Sequence, residues 1–342
     1  MSLTQHLRGS LGQWVSQHCP AVSVAARELA AAVQQQTRVS PPAGVDREHL
    51  AAVGGAVDAR LALAVDAAPP YAALLGAVRA GGMSLADAGR AACTWPTHQD
   101  VPVEDAPVGV WLRTVPSGQW AVFQDAPADA GCGVPRGLQV MLDELRELAS
   151  TLPPGTLGSA CQEQRLAELC LVVDELEAAY RSGHVGPAAA AVLDGQPAPV
   201  CPSRRGDVVA VVQHNAETLQ RARSRANTAV LGTSAPILLP QWADGDLILG
   251  RRGSAEPQTL VDVKTSTAGH RVERVEEWLR QIVAYALLDG RDAWQIRRVG
   301  LWLARSGRIY SWPLSEFTGA LEHKQIIEFR RMAQAAYQAD HG

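Results

Sequence analysis

The sequence predicts an α/β fold, a mixed sheet flanked by helices, with an additional helical region. Short apolar stretches near residues 229, 246, 260, 300 and 310 have the length and β-branched content of strands. Longer stretches with an apolar period near 3.6 flank them, which is the signature of helices that cover a sheet. Residues 1 to 203, in contrast, read almost wholly as helix.

Leu3 to Gln35 has helical spacing, and Ser40-Pro41-Pro42-Ala43-Gly44 breaks the chain before a second helix at Asp46 to Val65. Shorter helices follow at Tyr71 to Ala80 and Ser84 to Cys93, where Ser84-Leu85-Ala86-Asp87 resembles a capping signal. Residues 94 to 135 are rich in Pro, Gly and Asp and admit one strand, Gln119 to Phe123. Gly137 to Ala149 and Gln162 to Arg181 are helical and separated by Pro153-Pro154-Gly155, and Gly195 to Pro202 reads as a linker. Val208 to Arg225 then reads as a helix leading into the sheet.

Asp246-Leu247-Ile248-Leu249 is a short strand that opens on an acid, Gly250 to Pro257 supplies a hairpin loop, and Gln258 to Thr265 is a second strand. Side chains alternate along a strand, so Asp262 and Lys264 share one face while Val261 and Val263 share the other. Glu273 to Leu288 is helical, with Trp278, Ile282 and Tyr285 on one side and Gln281 one turn from Tyr285. Val299 to Ala304 and Ile309 to Pro313 form a hairpin through Arg305-Ser306-Gly307-Arg308, and Leu314 to Gln338 closes the chain as a helix.

At 342 residues and 47% hydrophobic content the chain can bury a large core, as one elaborated domain or two. No run approaches the roughly 18 apolar residues of a membrane span. Met1 to Pro20 is interrupted by Gln5, His6, Arg8, Gln13 and Gln17 and lacks a signal-peptide apolar region, so a cytoplasmic protein is expected. The six cysteines, at 19, 93, 132, 161, 170 and 201, form no C-x-x-C pair and read as small buried hydrophobes with free thiols. His49, His98, His184 and His214 have no metal-ligand spacing. The net charge of −4 is unevenly spread: residues 204 to 342 carry 19 Lys and Arg against 15 Asp and Glu, which leaves the first 203 residues acidic. Arg221, Arg223, Arg225, Arg271, Arg274 and Arg280 give the basic half the means to track phosphates.

Lys264 is one of only two lysines in a chain whose basic charge is otherwise arginine. A compact ammonium beside a phosphate and a water is not replaceable by a planar, weakly hydrated guanidinium, so this exception marks a candidate site. Two acids that meet across adjacent strands beside a lysine suit a hard divalent cation such as Mg²⁺, which takes oxygen ligands at about 2.1 Å and keeps positions for water and phosphate.

Asp246, Asp262-x-Lys264 and Gln281-x-x-x-Tyr285, on strand, strand and helix in that order, resemble the PD-(D/E)xK nuclease superfamily, and the last motif resembles its RecB-like branch. The resemblance covers residues 228 to 312. It implies a restriction-endonuclease-like fold and a metal-dependent deoxyribonuclease of DNA repair, recombination or phage defence. It implies Asp246 and Asp262 as ligands to Mg²⁺, with Mn²⁺ as a substitute, and Lys264 as the catalytic lysine. Gln281 and Tyr285, with Arg280 beside them, would contact the DNA. Asp244 rivals Asp246 in Ala243-Asp244-Gly245-Asp246; Asp246 is preferred because the apolar strand starts directly after it. Relatives often carry an acid on an early helix after small residues, which makes Asp58, after Val53-Gly54-Gly55-Ala56-Val57, an additional candidate ligand. The iron-sulfur cluster of some relatives is not expected, because no cysteine follows Cys201.

On this reading residues 1–45 are an N-terminal helical segment and 46–66 is a helix that the Asp58 match attaches to the core. Residues 67–203 are a mainly helical insertion or lid, and 204–342 is the nuclease core. The acidic helical half offers a surface for a protein partner such as a helicase or ATPase, oligomerisation is left open, and the alternatives are a non-cleaving DNA-binding scaffold or a subunit active only in an assembly.

Overall fold

The computed structural model describes residues 3–92, 94–96, 111–115, 118–122, 133–226, 231–234, 236–239, 242–250, 257–290, 292 and 294–341. The chain forms two compact units, one made of residues 1–38 with 235–342 and the other of residues 39–234. The sequence boundaries at 45, 66 and 203 do not coincide with this division. Residues 204–234 fold with the helical unit, and the N-terminal segment folds with the sheet.

The N-terminal helical pattern resolves into α1 (Leu3–His6), α2 (Ser10–His18) and α3 (Ala21–Gln34). Gly9 precedes α2, and Pro20, which has no N–H to donate, stands between α2 and α3. On α3 the buried residues Val22, Ala25, Ala26, Leu29, Ala30 and Val33 recur at helical spacing and form one apolar stripe.

The second unit contains α4 (Arg47–Val65), α5 (Tyr71–Arg79), α6 (Leu85–Ala92), the antiparallel pair β1 (Trp111–Val115) and β2 (Gly118–Val122), α7 (Arg136–Thr151), α8 (Ala160–Ser182), α9 (Pro187–Leu193), α10 (Pro202–His214), α11 (Ala216–Ala226) and β3 (Gly232–Ser234). The cap read at Ser84 is present: the Asp87 N–H donates to Ser84 Oγ, and Ser84 N–H and Oγ–H donate to the Asp87 carboxylate. Asp46 caps α4 by accepting from the His49 N–H at 2.7 Å. The single helix expected from Val208 to Arg225 is two, α10 and α11, because Asn215 Nδ2 turns back to the Val211 carbonyl and ends α10. Helix α9 lies between the expected helix ending at Arg181 and the linker from Gly195, where no element was expected. The strand expected near 229 lies outside the described residues in its first part, as do Phe123, residues 251–256 of the hairpin loop, and His98.

Close helix packing organises this unit. A side-chain carbon at Gly76 on α5 would stand 1.8 Å from the Leu176 carbonyl of α8, and one at Gly55 on α4 would stand 1.8 Å from Asp174 Oδ1 of the same helix. The glycines thus let α4 and α5 approach α8 to a distance that any larger residue would prevent. Between α4 and α8, Arg60 and Glu163 are each 2% exposed and form a two-point pair, Nε to Oε2 at 2.9 Å and Nη2 to Oε1 at 2.6 Å. Burial pushes the Cys170 thiol up to about 12, and in the other unit it pushes Cys19 up to about 11, so both stay protonated and pack as hydrophobes. Cys161 and Cys201 are exposed free thiols. The large apolar side chains that stand exposed among the described residues, Val24, Leu50 and Val140, lie on three separate helices.

The first unit resumes with β4 (Ile237–Leu239), β5 (Ala243–Asp244), β6 (Leu247–Leu249), β7 (Gln258–Lys264), α12 (Val272–Leu288), β8 (Ile296–Leu303), β9 (Arg308–Pro313), α13 (Leu314–Thr318) and α14 (His323–His341). Strands β6, β7, β8 and β9 lie side by side in that order, antiparallel, parallel and antiparallel in turn, so the sheet is mixed. The parallel step from β7 to β8 needs a crossover, and α12 supplies it. Leu279, Ile282 and Val283 of α12 are fully buried and share one core with Leu29 and Val33 of α3, Leu260 of β7 and Val299 and Leu301 of β8. The N-terminal helices therefore belong to the layer that covers this sheet. The closing helix expected from Leu314 to Gln338 is broken after Thr318, where Gly319 N–H bonds the Ser315 carbonyl and ends α13. No helix among the described residues is long and apolar enough to cross a membrane.

Candidate functional site

The register of β6 against β7 pairs Leu247 with Val261, and one further step along it sets Asp246 opposite Asp262. Asp246 Oδ2 accepts the Val263 N–H at 2.6 Å, so its carboxylate extends the ladder past the end of β6 and is held against the strand between Asp262 and Lys264. Asp262 is 3% exposed. A carboxylate so deep is expensive unless paired, and Lys264 Nζ stands 2.5 Å from its Oδ2. Two residues apart on one strand, the two side chains leave the sheet on the same face.

Helix α12 delivers the other half. Lys264 Nζ donates to Gln281 Oε1 at 3.3 Å, and Gln281 Nε2 donates to Tyr285 Oη at 3.0 Å. The carboxylate, ammonium, amide and phenol form one chain, and the two opposite partners of Gln281 fix which way its amide points. Burial, and after it the charges of Asp262, Asp246 and Asp244, raise the Tyr285 phenol well above its ordinary value and keep it protonated. Directly after Lys264, Arg305 Nε donates to the Thr265 carbonyl at 2.7 Å and ties this end of β7 to the turn between β8 and β9.

The structure brings Asp246, Asp262, Lys264, Gln281 and Tyr285 together, all within the first unit. Asp244 lies on β5, paired with Ile237 of β4, and reaches the group through its charge; the register favours Asp246 as the partner of Asp262. Asp58 lies on α4 of the second unit, where its charge acts on Cys170. The small residues ahead of it have a packing reason of their own, since Gly55 makes room for Asp174.

Next to Lys264 and Gln281 opens a cavity of about 290 Å³, lined also by Thr4, Leu7, Arg8, Arg274, Glu277, Trp278 and Arg280. Arg274 stacks 5.7 Å over the Trp278 ring and pairs with Glu277 at 2.5 Å. Arg280 pairs with Glu276. Arg280 and Arg274 were visible in the sequence as basic residues near the site, whereas Arg221, Arg223 and Arg225 lie on α11 in the second unit. Arg8 and Thr4 were missed. They belong to a segment with no motif, and only its packing against the sheet unit brings them here.

Oxygen donors on adjacent strands fit a hard cation. Among the described residues no three His, Cys, Asp or Glu side chains gather closely enough to hold a metal alone, and a pair of carboxylates completed by water and phosphate is the usual Mg²⁺ arrangement in phosphoryl chemistry. No family model, curated protein or solved structure matches the chain.

Proposed function

We propose that this chain is a metal-dependent deoxyribonuclease that hydrolyses DNA phosphodiester bonds and has the restriction-endonuclease-like fold. The reading is carried by one observation, the position of Asp246 opposite Asp262 with Lys264 on the same face and bonded to Gln281. The order of these residues along strand, strand and helix supports it, since it resembles the RecB-like branch of the PD-(D/E)xK nucleases.

Asp246 and Asp262 would hold Mg²⁺ or Mn²⁺. When bound, such an ion polarises a phosphate and lowers the pKa of a coordinated water. Lys264, beside Asp262 and bonded to Gln281, would hydrogen-bond the attacking water and offset charge on the phosphate oxygens. Gln281 holds the ammonium in place, and Tyr285, kept protonated, holds Gln281. The basic lining contributed by Arg274 and Arg280 would position the strand.

The test is cleavage of linear and circular, single- and double-stranded DNA with Mg²⁺, Mn²⁺ or EDTA, alongside Asp262→Ala and Lys264→Ala. Cation-dependent cleavage that disappears in both variants is the expected result. DNA binding without cleavage by the wild type under every condition would overturn the reading in favour of a non-cleaving scaffold.

A further inference from the structure

The geometry points to a phosphate-binding subsite in the cavity beside Lys264, with Arg8 from the N-terminal segment as the residue that recruits the anion. The assignment of that phosphate to a nucleic-acid chain rests on the nuclease reading; the anion site itself does not.

Four cationic side chains line the cavity, and three already have a carboxylate: Lys264 with Asp262, Arg274 with Glu277 and Arg280 with Glu276. Arg8 has no hydrogen-bond or ion-pair partner for its guanidinium among the described residues, so of the four lining cations it is the one whose charge is not already met by a carboxylate. A second donor is also unmet. Arg280 Nε is buried and has no acceptor among the described residues, an unmet donor on a side chain that also lines the cavity. Arg274, 5.7 Å over the Trp278 ring and paired with Glu277, already stands in the cavity wall where a ligand would meet it.

A solvated arginine at the end of a short helix would ordinarily need no explanation. Here the turn after α1 is packed into the sheet unit, with Leu3 and Leu7 in its core, and this packing carries Arg8 to the rim of a cavity whose other wall is Lys264. Planar guanidinium groups grip phosphate oxygens at two points, and an ammonium beside them adds a point charge. A cavity with both is suited to a phosphate group that sits next to the one undergoing chemistry.

The experiment measures binding of a short oligodeoxythymidine to the full chain in EDTA, where the strand stays intact, over a series of salt concentrations. Arg8→Ala is expected to weaken binding about tenfold, the worth of one charge-assisted hydrogen bond, and to reduce the slope of log K against log salt by about 0.7. Arg8→Lys should keep the slope and recover part of the affinity. Arg331→Ala, which removes an exposed arginine outside the cavity, should change neither. An Arg8→Ala protein with wild-type affinity and slope, or with a loss equal to that of Arg331→Ala, would overturn the subsite while leaving cleavage to stand on its own assay. Loss of binding in Arg8→Ala from a wild type that cleaves nothing would keep the subsite and remove the nuclease. Oligonucleotides with phosphorylated and hydroxyl ends tell the source: an Arg8 effect confined to phosphorylated ends assigns a terminal phosphate, and an equal effect on both assigns an internal one.

Discussion

Two deep pairings of opposite charge among the described residues, Arg60 with Glu163 and Lys264 with Asp262, are built differently. In the helical unit Arg60 and Glu163 meet at two points, and both side chains are 2% exposed. In the sheet unit Lys264 meets Asp262 at one point, with side chains 17% and 5% exposed, and the ammonium also borders a cavity and bonds an amide. The first pair is closed and neutral. The second is open on one side, and the charges of Asp246 and Asp244 reach the same helix residue as that of Asp262. The closed pair has no opening to a ligand, whereas the open pair borders a cavity, which is what the proposed nuclease site requires of it.

The largest expected effect breaks the open pair. Lys264→Ala should lower cleavage by at least about 10²–10³-fold, the scale of losing one group that stabilises transition-state charge, while costing less stability than the loss of Arg60, because the Lys264 side chain is 17% exposed where that of Arg60 is 2% exposed. Lys264→Arg should restore the charge without restoring cleavage, because a guanidinium cannot occupy the place of an ammonium between a carboxylate and an amide. A Lys264→Ala protein that unfolds, or that cleaves, would erase the distinction between the two pairs.

The closed pair should behave in the opposite way. Arg60→Ala is expected to cost about 3–5 kcal/mol in urea unfolding, since it strands a carboxylate with no access to water. Glu163→Ala should cost more, because Glu163 Oε1 also accepts the Gly158 N–H at 2.6 Å. A cost below about 1 kcal/mol, the range of an exposed pair, would show that the interior there is wetter than the packing of α4 on α8 implies.

Part of this contrast was readable in the sequence. Strand alternation and helix spacing are local, so Asp262 and Lys264 on one face, and Gln281 one turn from Tyr285, follow from a few residues each. The acid that opens β6 was readable for the same reason. The partner of Arg60 lies 103 residues away, and nothing near Arg60 announces Glu163. The same limit hid the composition of the sheet unit. An apolar stripe such as that of α3 says that a helix is covered, and leaves open what covers it. Gly54-Gly55 suggested a marker for Asp58, but the cause of Gly55 is Asp174, on a helix distant in sequence.

A smaller effect sharpens the open pair. Tyr285→Phe removes the acceptor of Gln281 Nε2 and should reduce cleavage roughly fivefold, the worth of about 1 kcal/mol of positioning, with the loss in kcat rather than in DNA affinity. The smallest effect probes the helical unit again. Burial, then the charge of Glu177, raises Asp174 from the ordinary 3.8 to about 7, with Glu175 adding to the rise and Arg181 and Arg204 opposing it. The folded state therefore holds this proton more tightly than the unfolded state. The contribution is complete below pH 4 and is lost as pH rises towards 7 and above. Asp174→Asn should flatten the fall in stability across that window when melting is followed from pH 4 to 8; an unchanged pH profile would place the titration elsewhere.

The sheet unit is assembled from the two ends of the described chain, with the whole helical unit synthesised in between. During translation α3 emerges early, but its partners Leu279, Ile282 and Val283 follow only after residues 39–234 have left the ribosome. Until then Arg8 and Lys264 cannot meet, so the site is incomplete until β7 and α12 have followed residues 39–234, and any DNA-cleaving activity would arise only after that point.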